Sequence, residues 1–275
     1  MRCLVVADLH YSLPQFDWLL AAAPQFDLVI FAGDALDIGS AVDFRAQIVV
    51  VRKYLSRLAG MTRVILCSGN HDLDERNTDG EKYSRWIGEV RELGIACDGD
   101  DLSIDDTLFT VCPWWDGPRL RERIDAQLRE AAAAAAKRWI WVHHAPPANS
   151  PTSWGGKRYF GDVELVQWIE RYRPAMVISG HVHQSPFIQD GSWFDRLGDT
   201  WVFNTGLQPG RPPTYIVIDM DAGAAFWLAA GQGQWIDLNA PLKRPAMPVA
   251  DSPAWLTSLD RIADPTLARP SAAAG

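Results

Sequence analysis

All six histidines of the chain fall inside four short motifs: Asp8-Leu9-His10, Gly69-Asn70-His71-Asp72, His143-His144 and Gly180-His181-Val182-His183. Each motif follows a short apolar run: LVVA before Asp8, RVILCS before Gly69, IWV before His143 and MVIS before Gly180. A fifth group, Gly33-Asp34, follows LVIFA in the same way. Apolar runs of this length, bounded by turn residues, read as buried strands. Stretches with helical spacing, Pro14–Ala23 and Val42–Leu58, separate the first three runs, and Glu81–Leu93 follows the third. Alternating strand and helix implies a layered α/β fold. In open α/β sheets ligands gather at the carboxyl ends of the strands, so five strand ends would deliver these groups to one edge. One Gly-Asp or one histidine alone is usually a turn or a satisfied polar residue. Five such groups in order, holding every histidine of the chain, point to a site.

The residue types narrow the chemistry. Residues i and i+2 of an extended chain point the same way, so Asp8 and His10 can reach one point, as can His181 and His183. Glycine at 33, 69 and 180 permits tight turns and close backbone approach. Imidazole and carboxylate donors without thiolate suit Mn, Fe or Zn better than Ca or Mg.

This ordered set of motifs resembles the calcineurin-like metallophosphoesterase superfamily over roughly residues 1–206. Asn204-Thr205-Gly206 is similar to the Asn-Pro-Gly turn that often follows the family's last motif, without its proline. The resemblance implies an α/β fold, a four-layer α/β/β/α sandwich with a dimetal site at the carboxyl ends of the strands. It implies two divalent transition metals, Mn or Fe first and Zn as a further option. By position, Asp8, His10, Asp34 and His183 would hold the first metal. Asp34 would bridge to the second, which would also take Asn70, His143 and His181. His71 would protonate or stabilise the leaving oxygen, with Asp72 orienting it. Of the adjacent pair, His143 is expected to be the ligand because it directly follows the strand Trp139–Val142; His144 would face the substrate or pack. Asn70, His144 and Trp154 are the expected substrate contacts.

The charge of such a site suits phosphate chemistry. Two divalent metals, the carboxylates of Asp8 and Asp34 and a bridging hydroxide leave it near one positive charge, which matches a phosphodiester. Metals about 3.5–4 Å apart would clamp the phosphate oxygens, and the hydroxide between them would attack phosphorus in line. The expected reaction is hydrolysis of a small phosphorylated substrate, a phosphodiester such as a cyclic nucleotide. A phosphomonoesterase or phosphoprotein phosphatase is the alternative, with a nuclease or a non-catalytic interaction protein on the same fold behind it. The net charge of −8, from 26 basic and 34 acidic residues, offers no track for a nucleic acid strand.

The rest of the chain supplies context. An apolar fraction of 48% and a charged fraction of 22% are those of a globular protein. No apolar stretch approaches the ~20 residues of a membrane span. The opening MRCLVVADLH has no cleavage site, and Asp8 and His10 argue against its removal. Four scattered cysteines without a CxxC pair read as buried thiols in a reducing, cytoplasmic setting. Leu120, Ile124 and Leu128 mark a helix that the alanines to Ala136 extend. Asp162 caps another that ends before Pro174, and from Thr200 onward the pattern is all strand.

One catalytic domain is expected over residues 1–240, followed by a Pro/Ala-rich tail over 241–275. The tail holds a short helix near 253–263, capped by Ser252 and Pro253, with Trp255, Leu259 and Ile262 on one face. That face packs on its own domain or, alternatively, meets a second chain, so an oligomer through the tail stays open. Thirteen tryptophans are many for this length. Trp114, Trp115 and Trp154 could wall a nucleobase or simply pack, and Asp37 could support a ligand histidine.

Overall fold

The computed structural model describes residues 1–133, 137–250 and 254–263. Its first strands are β1 (Arg2–Val6), β2 (Leu28–Ala32), β3 (Arg63–Cys67), β4 (Glu75–Arg76), β5 (Lys82–Tyr83), β6 (Ala96–Cys97), β7 (Asp101–Ile104) and β8 (Thr107–Val111). Then come β9 (Arg138–Val142), β10 (Met176–Ser179), β11 (Phe194–Leu197), β12 (Thr200–Asn204), β13 (Tyr215–Asp219), β14 (Ala224–Ala229), β15 (Gln232–Asp237) and β16 (Met247–Pro248). The helices are α1 (Leu13–Ala22), α2 (Phe44–Ala59), α3 (Arg85–Glu89), α4 (Pro118–Ala132), α5 (Val163–Tyr172) and α6 (Ala254–Ala263).

Strand alternation sorts the apolar residues into layers. Leu4 and Val6 of β1, Val29 and Phe31 of β2, and Val64 and Leu66 of β3 join a core with α1, α2 and α6. Their neighbours Cys3, Val5, Leu28, Ile30, Ile65 and Cys67 turn to the other face. There they meet Phe109 and Val111 of β8, Ile140 and Val142 of β9, Ile178 of β10 and Phe203 of β12. Trp141, Val177 and Val202, one residue out of phase, pack with α4 and α5. Every strand in the middle is thus apolar on both faces, which is why these runs read as continuous rather than alternating. Helices, sheet, sheet and helices follow one another across the molecule.

The first sheet has eight strands in the order β16-β15-β14-β13-β1-β2-β3-β6, and the second has six in the order β11-β12-β10-β9-β8-β7. β1, β2, β3 and β6 are parallel, as are β8, β9, β10 and β12. Parallel pairing puts the carboxyl ends of β1, β2 and β3 on one edge, and those of β9, β10 and β12 on one edge of the other sheet.

Local chemistry fixes most boundaries. Asp43 caps α2 by accepting from Ala46 N at 3.1 Å. Asp162 caps α5 through Glu164 N and Leu165 N, at 2.8 and 3.2 Å. One expectation fails. The stretch Glu81–Leu93 is helical only over Arg85–Glu89, with a 3-10 turn to Leu93. The Glu81 carboxylate instead accepts from Arg119 N and Leu120 N at 2.8 and 2.9 Å, capping α4 from another segment. A tertiary cap has overridden local helical spacing. α4 ends at Ala132, and Ala134–Ala136 lie outside the described residues. All four cysteines are buried and unpaired. Burial pushes the Cys3 and Cys97 thiols up to about 12. No helix of the described residues is long and apolar enough to cross a membrane.

β16 still adds to the first sheet, and α6 then returns to pack beside α1. Leu256 and Leu259 are buried there, with Trp255 and Ile262 half-buried against the same core. Trp255 meets the Phe226 ring edge-on at 5.3 Å and lies 5.4 Å from the Arg2 guanidinium. The expected caps Ser252 and Pro253 lie outside the described residues. Each buried leucine is worth about 1.5–3 kcal/mol. Truncation after residue 250 should therefore lower the melting temperature by roughly 6 °C or more. An unchanged melting temperature in calorimetry would reject this packing.

Candidate metal centre

The site residues lie just beyond the strand ends, in a backbone that is seldom used without glycine. Asp8, His10, Asp34 and His181 have φ of 56°, 42°, 56° and 71°. Left-handed φ in such residues costs on the order of 1–2 kcal/mol each and survives only where the surroundings impose it. The extended geometry expected for Asp8 and His10 is therefore replaced by tight left-handed turns, which still bring the two side chains to one place. Hydrogen bonds between loops impose them: Asp8 N to Gly33 O at 3.0 Å, His10 N to Asp34 O at 3.1 Å and Tyr11 N to Ala35 O at 3.0 Å. The Asp8 carboxylate in turn accepts from His181 N at 3.0 Å, tying the first sheet's loops to the second sheet's. Two glycines are required by close approach. A Cβ on Gly69 would strike the Asp34 carboxylate and amide, and one on Gly180 would strike the Asp8 carboxylate.

The side chains converge in two clusters that share Asp34. Donor atoms of Asp8, His10, Asp34 and His183 lie within 4.8 Å of one another, as do those of Asp34, His144 and His181. His10 Nε2 and His183 Nε2 are 3.1 Å apart, and His183 Nε2 is 3.3 Å from Asp8 Oδ1. His144 Nε2 is 3.1 Å from Asp34 Oδ2 and 3.8 Å from Asp8 Oδ1. Asn70 follows Gly69, which lies against the Asp34 carboxylate, and Asn70 Oδ1 is buried without a hydrogen-bond partner among the described residues.

The adjacent histidines are placed the other way round from the sequence expectation. His144, not His143, stands with the shared carboxylate. β9 ends at Val142, and the chain continues in register for one more residue, His143 N donating to Ile178 O at 3.0 Å. Successive side chains of an extended segment face opposite ways. His143 therefore faces the α5 side, where its Nε2 lies 3.3 Å from Asp162 Oδ2, and His144 faces the carboxylates. His144 Nδ1 donates to Ala32 O at 2.7 Å, the backbone bond that commonly fixes the ring of a ligand histidine.

The sequence pattern of the calcineurin-like phosphoesterase family matches residues 1–185. The chain belongs to that family. The match covers about two thirds of the chain. The chain is 24% identical over 197 residues to UPF0046 protein K07C11.7 of Caenorhabditis elegans, a match spanning 67% of this chain and 64% of that protein's length. The fold is similar to TT1561 of Thermus thermophilus, with a TM-score of 0.55 and 14% identity over 86% of this chain and 98% of that one. Purple acid phosphatase PPD1 of yellow lupin also gives 0.55 and 14%, over 90% of this chain and 53% of that one. A dimetal phosphatase of Danio rerio gives 0.54 and 10%, over 82% and 95%.

His71 sits at the edge of the clusters, its ring 4.4 Å from that of His10 and nearly perpendicular to it. Its expected partner, Asp72, is turned to other groups. The Asp72 carboxylate is buried and accepts from Asp34 N, Gly69 N and Leu36 N at 2.8, 2.9 and 3.0 Å. Asp72 thus pins the loops after β2 and β3, since buried amides need an acceptor. Burial and the Asp34 charge raise its carboxyl above the usual range. The carboxylate near His71 is Asp37, whose Oδ1 is 3.7 Å from His71 Nδ1, while Ile38 N donates to that nitrogen at 3.3 Å. Asp37 was expected to support a ligand histidine; its donor atom in fact lies within 4.8 Å of those of both His10 and His71.

The donor set fits a pair of divalent transition cations. Besides Asn70 Oδ1, His144 Nε2 is buried and has no hydrogen bond of good geometry among the described residues. With Nδ1 donating to Ala32 O, Nε2 is the nitrogen turned to Asp34 and Asp8, where a cation would take the place of a proton. Burial disfavours charge on His144 and on Asp34, but each outweighs that penalty for the other, raising His144 and lowering Asp34. Burial, helped by His144, lowers His181 to about 4, so it is a neutral donor at neutral pH. Asn204 Nδ2 donates to Val182 O at 3.1 Å and so holds the loop between His181 and His183. Trp114 lies 5.2 Å from the His181 ring and 5.8 Å from that of His144. Trp154 packs on Tyr159 at 4.9 Å and donates to Gln189 O at 3.1 Å. Asp162, as the partner of His143, was legible in the sequence only as a helix cap.

Proposed function

We propose that the chain hydrolyses a small phosphodiester. Asp8, His10, Asp34 and His183 hold one divalent transition metal in this reading, and Asp34, Asn70, His144 and His181 hold the second. Mn or Fe suits these donors best, with Zn also compatible. Bound there, such cations supply Lewis-acid charge and a water of lowered pKa. The observation that carries the reading is the pair of clusters sharing Asp34. Among the described residues of the two clusters, Asp8 and Asp34 offset two of the four positive charges of two divalent cations and a deprotonated water would offset a third, which leaves about one, the complement of a singly charged diester.

The chain's own residues do the rest. Asp8 and Asp34 are held by amides from other loops, so the donors are positioned before substrate arrives. His71, with Nδ1 held at Ile38 N and Asp37, has Nε2 free among the described residues to give a proton to the leaving oxygen. The test compares bis(4-nitrophenyl) phosphate with 4-nitrophenyl phosphate after reconstitution with Mn, Fe or Zn. A kcat/KM at least about tenfold higher on the diester is expected, a difference of about 1.4 kcal/mol in transition-state binding. A preference for the monoester would reassign the protein as a monoesterase.

A further inference from the structure

Beside the second cluster lies a cavity of about 340 Å³, lined among others by Trp114, Trp115, His143, Phe160, Asp162 and His181. That volume is at the small end of ligand pockets, roughly 300–1,000 Å³. His181 belongs to the donor cluster and lines the cavity as well, so the two adjoin. The aromatic walls are held in place. Trp114 N donates to Ser68 Oγ at 2.9 Å, and Trp115 Nε1 donates to Asp162 Oδ2 at 2.7 Å. Phe160 N donates to Ser153 O at 2.9 Å. The Phe160 ring is 40% exposed at the rim, with the Arg158 guanidinium 4.6 Å from its centroid.

The polar groups of the lining are nearly all used. Asp162 Oδ1 accepts from Glu164 N and Leu165 N, and Oδ2 from Trp115 Nε1 and the His143 ring. Because the carboxylate can only accept, the ring proton on that side sits on Nε2. Nδ1 is buried and has no hydrogen-bond partner among the described residues. An unpaired buried ring nitrogen is costly, and a ligand that pairs with it recovers that cost.

We propose that this cavity binds the nucleobase of a nucleotide substrate, packed against the tryptophans and Phe160, with a polar group of the base hydrogen-bonded to His143 Nδ1. This inference rests on the phosphodiesterase reading and deepens it. Three features favour a base over an aliphatic group: aromatic walls, an unpaired buried ring nitrogen, and a cavity that adjoins the cluster where the phosphate would be held. His143, beside the ligand His144 in sequence, then has a role of its own in choosing the substrate.

The experiment separates the base from the phosphate. Binding of adenosine and guanosine 5′-monophosphate to the Mn-loaded protein is measured by calorimetry against ribose 5-phosphate, which lacks only the base. Stacking on aromatic walls should make at least one nucleotide bind about tenfold or more tightly than ribose 5-phosphate. The ratio should collapse toward one in Phe160→Ala, whose side chain is at the rim, and fall in His143→Leu. Equal affinities for the three probes, or a ratio that survives both substitutions, would overturn the proposal. Turnover of bis(4-nitrophenyl) phosphate is followed in parallel. Turnover without base discrimination defeats the base site alone, whereas discrimination without turnover of any diester defeats the reaction and leaves the base site standing.

Discussion

His144→Ala is expected to remove about one of two bound metal equivalents and to lower kcat by about 10³-fold or more. The loss follows from geometry: His144 Nε2 is 3.1 Å from the shared carboxylate of Asp34 and 3.8 Å from Asp8. A cation at the second cluster contributes several kcal/mol of charge stabilisation, and each 1.36 kcal/mol is tenfold in rate. His143→Ala is expected to keep both equivalents, because that ring pairs with Asp162. Metal analysis after dialysis of the two variants, with circular dichroism to confirm folding, gives the comparison. Metal lost only from the His143 variant would reverse the assignment. His144→Gln, which retains more of the side-chain volume packed against Gly33, checks that the loss reflects the ligand and not the packing.

His71→Ala is expected to keep both metals and to lose rate according to the leaving group. A nitrophenolate departs without a proton, and a ribose alkoxide does not. The variant should lose little on an aryl diester and about 10²–10⁴-fold on an alkyl or nucleoside diester, the usual range for general acid catalysis. Asp37→Asn should show the same leaving-group dependence in weaker form, since Asp37 Oδ1 stands 3.7 Å from His71 Nδ1. Asp72→Asn should behave differently. Its carboxylate accepts three backbone amides, so the change should lower stability and metal retention alike for every substrate. Equal losses on both ester types in His71→Ala would make His71 a phosphate-binding group, and loss of a metal would make it a ligand.

The sequence by itself determined the strands and the polar residues just beyond them. β2 and β10 have the bounds of the apolar runs, and β3 stops one residue before its run ends. Buried strands announce themselves by continuous apolar runs. Parallel order then puts their ends, with Asp8, Asp34, Asn70, His144 and His181 beyond them, on one edge. Asp162 was legible as a cap because capping is local, spanning two or three residues.

Tertiary structure decided where the side chains point. A residue just past a strand end takes its direction from backbone dihedrals, and here those are held by bonds such as Asp8 N to Gly33 O, 25 residues apart in the chain. The choice of His144 over His143 depended on the register bond of His143 N to Ile178 O, which no local pattern encodes. The assignment of Asp37 rather than Asp72 to His71 depended on three amides from two loops claiming Asp72 first. The same holds for Glu81, whose helical spacing lost to the unsatisfied amides of α4. Residue type and order are set by local physics and can be read along the chain. Competition among distant polar groups for the same few partners is settled only when the chain is folded.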